Sequence, residues 1–343
     1  MNNKGMAITT VIYSIILLLS LCMFLVLGIL RSEYTNDKQY ILDLREELNN
    51  LLKGDEESYG VDKIIKQTGN KDNSGLYTIT HPADSTLQIG ATESITEYRY
   101  RGANPKNYVT FNNEVWRIIG VFPVDDGNGN IENRIKLIKD QSIGERYWDE
   151  DTDYSNNWAR PATLNTELNT TYLNSLDSTS KSMIGNTKYY LGGYNGWVNG
   201  QGFTQTSVQM YTYERKIQNT TSNEFYNGTN PNSLVGKLGL MYLSDYGYAS
   251  SNCENKKIKD NTSSLNDIRV CNGTNWLFGN YEWILSQHAN ITSIAFYVLS
   301  GGFVDYANVS YSQFGARPVL YLKSTVKITG GSGTSANPYT LGI

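Results

Sequence analysis

Histidine is nearly missing from this chain: only His81 and His288 occur in 343 residues. A multi-histidine metal site is thereby improbable on composition alone. Charge is also sparse, at 18% Asp, Glu, Lys and Arg with a net charge of −4, and no basic stripe gathers anywhere. Nucleic acid is therefore not an expected partner. No P-loop, no H-E-x-x-H helix and no G-x-S-x-G elbow occurs, and neither histidine stands in a motif that would make it a catalytic base. Enzymatic activity is not expected, although paired carboxylates stay open because any two can meet in space. With three cysteines, the chain has no CxxC redox motif and no zinc-knuckle spacing.

What is abundant is tyrosine, 26 against 9 Phe. In a background of Asn, Ser, Thr and Gly this suits an extracellular β-rich surface, since Tyr joins apolar area to a polar tip. The length allows one large domain, or two modest ones, plus appendages. Cys22 sits alone in an apolar run and reads as a small hydrophobe. Cys253 and Cys271 flank the polar stretch ENKKIKDNTSSLNDIRV. If that part is exported, a disulfide is expected, with two free thiols as the alternative. Closing such a loop would stabilise by roughly 3 kcal/mol.

Residues 7–30 carry no charged side chain, a length that suffices to cross about 30 Å of hydrocarbon. LGILRSEY offers no small-x-small cleavage pattern, and Leu19, Ser20 and Leu21 before Cys22 do not make a lipoprotein signal, so a retained anchor is expected over a discarded one. Lys4-Gly5-Met6 at the head of this run resembles the leader of type IV pilin-like proteins. The resemblance implies prepilin-type cleavage between Gly5 and Met6. The family usually has Glu at the fifth mature position; Thr10 stands there, which argues against efficient polymerisation. A pilin-like leader and a plain signal-anchor both remain open. Further on, Ile41, Leu44, Leu48 and Leu51 recur at helical spacing among Asp43, Arg45, Glu46 and Glu47, predicting an amphipathic stalk helix over 31–56. It either pairs with another chain or lies on its own domain. Lys4 on one flank against Arg31 and Lys38 on the other barely sets orientation. The cysteine pair and composition favour an outward C-terminal part.

The remainder reads as linker and domain edge over 57–100, a β-rich domain over 101–326 and a terminal hairpin over 327–343. YVTF, VWRIIGVF and IKLI predict a meander with turns at Asn112-Asn113 and DGNG. The DDGNGN turn is no EF-hand loop, because the sixth residue from Asp126 is Ile131. Asp149, Asp151 and Asp153 in YWDEDTDYSNNW are the better candidates for an oxygen-ligated cation such as calcium, though clustered acids in a loop are usually just solvated. Leucines over 161–184 suit one or two short helices. Aromatic, Gly-rich segments suit glycan or protein contacts, with Trp197, Tyr246 and Trp283 as candidates; burial in an irregular core is the competing reading.

The C-terminal third carries Trp276-Leu277, Ala295, Val298, Gly302, Val304 and then Gly315-Ala316-Arg317-Pro318-Val319-Leu320. Together with Trp116 in VTFNNEVWRIIGV, these residues resemble an uncharacterised family of bacterial surface domains over roughly residues 100–325. The resemblance implies a relative of the C-type-lectin-like fold that sulfatase-modifying enzymes share. Formylglycine-generating chemistry would need reactive cysteines, and the Cys253/Cys271 pair reads as a loop staple. Arg317 before Pro318 is expected to tie loop carbonyls together. The expected class is thus α+β, with a transmembrane helix over 6–30 and a stalk bearing a lectin-like head. The expected protein is a single-pass cell-membrane protein with an extracellular domain. Its expected partners are the lipid bilayer, a glycan or a host protein, and a homo- or hetero-oligomer through the stalk. Its expected function is adhesin-like binding, with a pilin-like subunit as the alternative.

Overall fold

The computed structural model describes residues 12–27, 31, 34, 37–38, 41, 44–45, 59–69, 74–151, 153, 155–195, 202–216, 226 and 228–343. The chain divides into two units, Met1–Glu57 and Ser58–Ile343. In the first, residues 12–27 are helical and exposed, as are the described positions at 31, 34, 37, 38, 41, 44 and 45. This corrects the membrane expectation: among the described residues no helix is long and apolar enough to cross a membrane. The transmembrane helix over 6–30, the single-pass location and the pilin-like assignment lose their footing together. Gly5, Met6 and Thr10 lie outside the described residues, as does most of the expected stalk. What the structure does contain is a mixed α/β fold, mostly sheet, with short helices.

In the second unit the chain runs α1 (Gly60–Ile65), β1 (Gly75–His81), β2 (Ile95–Arg101), β3 (Tyr108–Phe111), β4 (Glu114–Asp125), β5 (Ile131–Lys139) and β6 (Glu145–Arg146). Helix α2 (Thr163–Glu167) continues through a π turn, Leu168–Tyr172, and α3 (Ser178–Met183) follows. Then come β7 (Thr187–Tyr190), β8 (Gly193–Tyr194), β9 (Gly202–Thr206), α4 (Ser207–Arg215), β10 (Ser233–Gly236), β11 (Leu238–Gly239), α5 (Leu243–Tyr248) and β12 (Lys257–Asp260). The chain closes with β13 (Glu282–His288), β14 (Ile294–Val298), β15 (Val304–Asn308), β16 (Phe314–Gly315), β17 (Val319–Tyr321), β18 (Lys327–Gly330) and β19 (Thr340–Gly342). A first sheet has the order β1-β2-β4-β5-β17-β11, with β3 on β4; a second has β15-β14-β13-β16-β6, with β8 on β13.

The β3–β4 hairpin follows from its two asparagines. Asn112 and Asn113 both adopt positive φ, 54° and 57°, which a two-residue turn matched to the strand twist requires and Asn tolerates. In the next turn Asp125 Oδ1 accepts the Gly127 N–H at 2.8 Å, and Asp126 Oδ1 accepts that of Asn128 at 2.7 Å. The carboxylates thus stabilise their own loop. Residues 57–100 carry α1, β1 and most of β2, and β1 forms an edge of the first sheet.

Strands of both sheets contribute to one core in which Trp116, Trp148, Trp158 and Trp283 are all buried. Each such ring removes some 150–250 Å² from water, a gross gain of about 4–6 kcal/mol at ~25 cal/mol/Å². Cys253 and Cys271 form a disulfide with Cα atoms 6.4 Å apart, and Cys22 is free and exposed.

Candidate functional site

Strand β2 reads ITEYRYR, and its alternation throws Glu97, Arg99 and Arg101 onto one face. All three are buried. His81 Nε2 and Arg99 Nε both meet Glu97 Oε1, the former at 3.0 Å. Arg99 Nη1 donates to Asp245 Oδ1 at 2.9 Å, and Lys136 Nζ from β5 donates to Asp245 Oδ2 at 2.5 Å. Asp245 also accepts the Tyr242 N–H at 2.8 Å, closing the first turn of α5. Helix α4 starts with a capping box, Thr206 against Gln209, and this fixes where its last turn delivers Glu214 and Arg215. Glu214 accepts from Ser244 N at 3.1 Å, Ser244 Oγ at 2.5 Å, Ser286 Oγ at 2.9 Å and Arg215 Nη1 at 3.2 Å.

This hub ties β1, β2, β5, α4 and α5 together through charge. Burial alone would raise the Glu97 carboxyl, but the Arg99 guanidinium and His81 outweigh it and bring it down to about 2. Burial lowers the Lys136 ammonium to about 8, with Asp245 opposing, and burial raises Glu214. Because Glu97 titrates lower in the folded than the unfolded chain, its contribution is present above pH 4.5 and is lost as pH falls toward 2. The size is at most roughly 3 kcal/mol. Urea unfolding across that interval is expected to show the loss, and Glu97→Gln is expected to flatten it; an unchanged acid limb in the variant would contradict the assignment.

A solvent-facing feature stands on the second sheet. Tyr147 and Tyr311, with Ser310, Ser312 and Gln313, border a shallow cleft of about 300 Å³. The loop bearing four of these residues is pinned at both ends. Val309 is buried, and its carbonyl accepts the N–H groups of Trp148 and Asp149, each at 3.0 Å. Phe314 is buried in β16, paired with Arg146 of β6. Between them Asn308 Oδ1 accepts from Ser310 N at 2.9 Å and Ser310 Oγ at 2.7 Å. Tyr311 is 51% exposed and Tyr147 37%.

The residues singled out from the sequence fall elsewhere. Tyr246 and Trp283 are buried at 1% exposure, and Trp283 Nε1 donates to the Arg146 carbonyl at 2.9 Å, so both serve the core rather than a ligand. Trp197 lies outside the described residues. Asp149, Asp151 and Asp153 are drawn together, but by Arg160: its Nη2 meets Asp149 at 2.6 Å and Asp151 at 3.1 Å, and its Nη1 meets Asp153. The guanidinium supplies the positive charge that a cation at these candidate carboxylates would have brought. Among the described residues no group of three or more His, Cys, Asp or Glu is placed to hold a metal.

The motif residues are structural. Trp116 packs edge-on against Phe111, and Trp276 Nε1 donates to the Tyr100 carbonyl at 2.8 Å. A Cβ on Gly315 would sit 2.7 Å from Ser142 Oγ and 3.0 Å from the Tyr281 carbonyl oxygen. The Pro318 carbonyl accepts Lys139 N–H at 3.0 Å. Arg317 grips a carboxylate where loop carbonyls were expected: its Nε and Nη2 donate to Glu282 at 2.6 and 2.5 Å.

Sequence reasoning missed the hub and the Tyr147–Tyr311 cleft. The E-x-R-x-R alternation of β2 and the T-x-x-Q of the α4 cap were the signals available for the first. The second had none, because tyrosine content does not say which rings face water. No protein-family model matches this chain, and no curated protein or solved structure matches it either.

Proposed function

We propose that the second unit is a non-catalytic binding module that seats a neutral sugar unit between Tyr147 and Tyr311. The observation that carries this reading is the cleft itself: two partly exposed tyrosines on a loop whose ends are held by buried residues. Its volume, about 300 Å³, is at the lower end of small-ligand sites. Tyr rings offer flat apolar faces, while their hydroxyls, two serines and a glutamine amide offer donors and acceptors in both senses. None of the five bordering residues is charged, which favours a neutral ring over an acidic one. A loop already fixed loses little freedom on binding.

Binding rather than turnover is supported by the state of both histidines. His81 is committed to Glu97. His288 Nδ1 accepts the N–H groups of Asn290 and Ile291 at 3.2 and 3.1 Å, and burial pushes its imidazole down to about 4.

Glycan-array screening of the full chain, followed by calorimetric titration of the best neutral ligand, tests the proposal. Tyr311→Ala is expected to weaken binding by about 30-fold, a hot-spot loss near 2 kcal/mol. Its unfolding midpoint should stay put, because the ring is half exposed. Absence of any neutral-sugar binder, or unaltered affinity in the variant, rejects the reading.

A further inference from the structure

We propose a second site, separate from the sugar cleft, in which Arg215 and Tyr190 take the carboxylate of a small monocarboxylate ion. Tyr190 ends β7 and Arg215 ends α4, and both line a narrow cleft with Lys188, Glu97, Phe122 and Tyr242. The space within is about 20 Å³. A site needs roughly 10–15 Å³ to admit one water, so this one admits only a group of a few atoms and excludes a sugar ring.

Three features point to that occupant. Arg215 is 5% exposed, and its Nη1 is committed to the Tyr211 carbonyl at 3.1 Å and to Glu214 at 3.2 Å. No hydrogen bond among the described residues uses its Nε or Nη2, the edge that matches a carboxylate in fork geometry. The guanidinium is held in plane by the Tyr211 ring, whose centroid lies 3.8 Å away, and by Tyr242 at 5.1 Å. Beside it, the Tyr190 hydroxyl is buried without a hydrogen-bond partner, although its ring is only 6% exposed. The backbone that carries this ring is fixed, because the Tyr190 N–H donates to Tyr242 Oη at 2.8 Å. Burial raises the Tyr190 phenol, which keeps it a neutral donor. A buried hydroxyl left without a partner is a costly arrangement unless something occupies it.

The surrounding charge selects for a monoanion. Lys188 stands at the cleft with only a 3.5 Å contact to Asp125, so its ammonium is loosely held. Glu97 also lines the cleft, but His81 and Arg99 share its Oε1. One carboxylate faces Arg215 favourably in that setting, whereas a tetrahedral dianion would meet Glu97 without room to turn.

The full chain would be titrated with sodium acetate at constant ionic strength, with acetamide and sodium sulfate alongside, following unfolding temperature and NMR shifts. Acetate is expected to raise the unfolding temperature saturably, as a ligand of the native state does, and the other two are not. Tyr190→Phe removes only the unpartnered hydroxyl. It should leave acetate-free stability unchanged or higher while weakening acetate at least about tenfold, the usual loss for a hydrogen bond to a charged group. Arg215→Lys, which lacks the fork, should likewise weaken acetate. Equal responses to acetate and sulfate would overturn the proposal, as would wild-type acetate affinity in Tyr190→Phe, a variant that tests the site even if Arg215→Lys fails to fold. The site shares no residue with the Tyr147–Tyr311 cleft, so either result leaves the sugar reading to its own test.

Discussion

Asp245→Ala is expected to lower the unfolding free energy by about 3–5 kcal/mol, the usual consequence of removing one partner from a buried ionic cluster. Asp245 is 1% exposed, and Arg99 and Lys136 reach its two oxygens from different strands. Both cations are buried as deeply; Arg99 keeps Glu97, but the variant leaves the Lys136 ammonium facing it with no carboxylate of its own. The N–H of Tyr242 loses its acceptor as well. Asp245→Asn separates these effects, because the amide oxygen can still accept from Tyr242 while the charge is gone. Lys136→Met should be far milder: burial already lowers the ammonium, a thioether fills similar space, and Arg99 still neutralises Asp245. Urea unfolding of the three variants checks the ranking. An Asp245→Ala loss below about 1 kcal/mol, the value of an exposed pair, would show the hub to be hydrated.

Arg317→Ala is expected to cost a similar amount, about 3–5 kcal/mol, by stranding Glu282. The pair is bidentate, with side chains 3% and 2% exposed, and Glu282 lies in a strand buried along its whole length. Arg317→Lys should recover little, since an ammonium cannot present two parallel donors. Replacing both partners, Arg317→Met with Glu282→Leu, should lose much less than Arg317→Ala. A double variant as unstable as the single one would mean that the pair also sets how β13 and β16 register.

How far these features were legible depends on the distance over which each is specified. The β3–β4–β5 meander could be read because Asn112-Asn113 and the DGNG turn fix it within a few residues. The disulfide could be read from two cysteines flanking one polar stretch. Arg317 was identified as structural, but its partner was not, because Glu282 lies 35 positions away and nothing local marks it. The hub is harder still: His81, Glu97, Lys136, Glu214 and Asp245 come from separate elements, and only the β2 alternation hints that charge points inward. The acidic run around Asp149 looked like a cation site because Arg160 sits downstream with no motif linking them. Trp283 and Tyr246 looked like contact residues by type; β13 packs on both faces, so type could not settle exposure. The apolar N-terminal run was read as one membrane span over residues 7–30, and among the described residues no helix is long and apolar enough to cross a membrane.

The chain from Phe314 to Tyr321 runs through both sheets: β16 lies between β13 and β6, and β17 between β5 and β11. Lys136 of β5 pairs with Tyr321, while Arg146 of β6 pairs with Phe314. During synthesis, therefore, the earlier strands emerge with the slots for their central neighbours vacant, and no local rearrangement can fill them. Pairings of such separation close slowly, and open strand edges attract other chains meanwhile. The late arrival of one short segment thus leaves strand edges in both sheets open until residues 314–321 have been made.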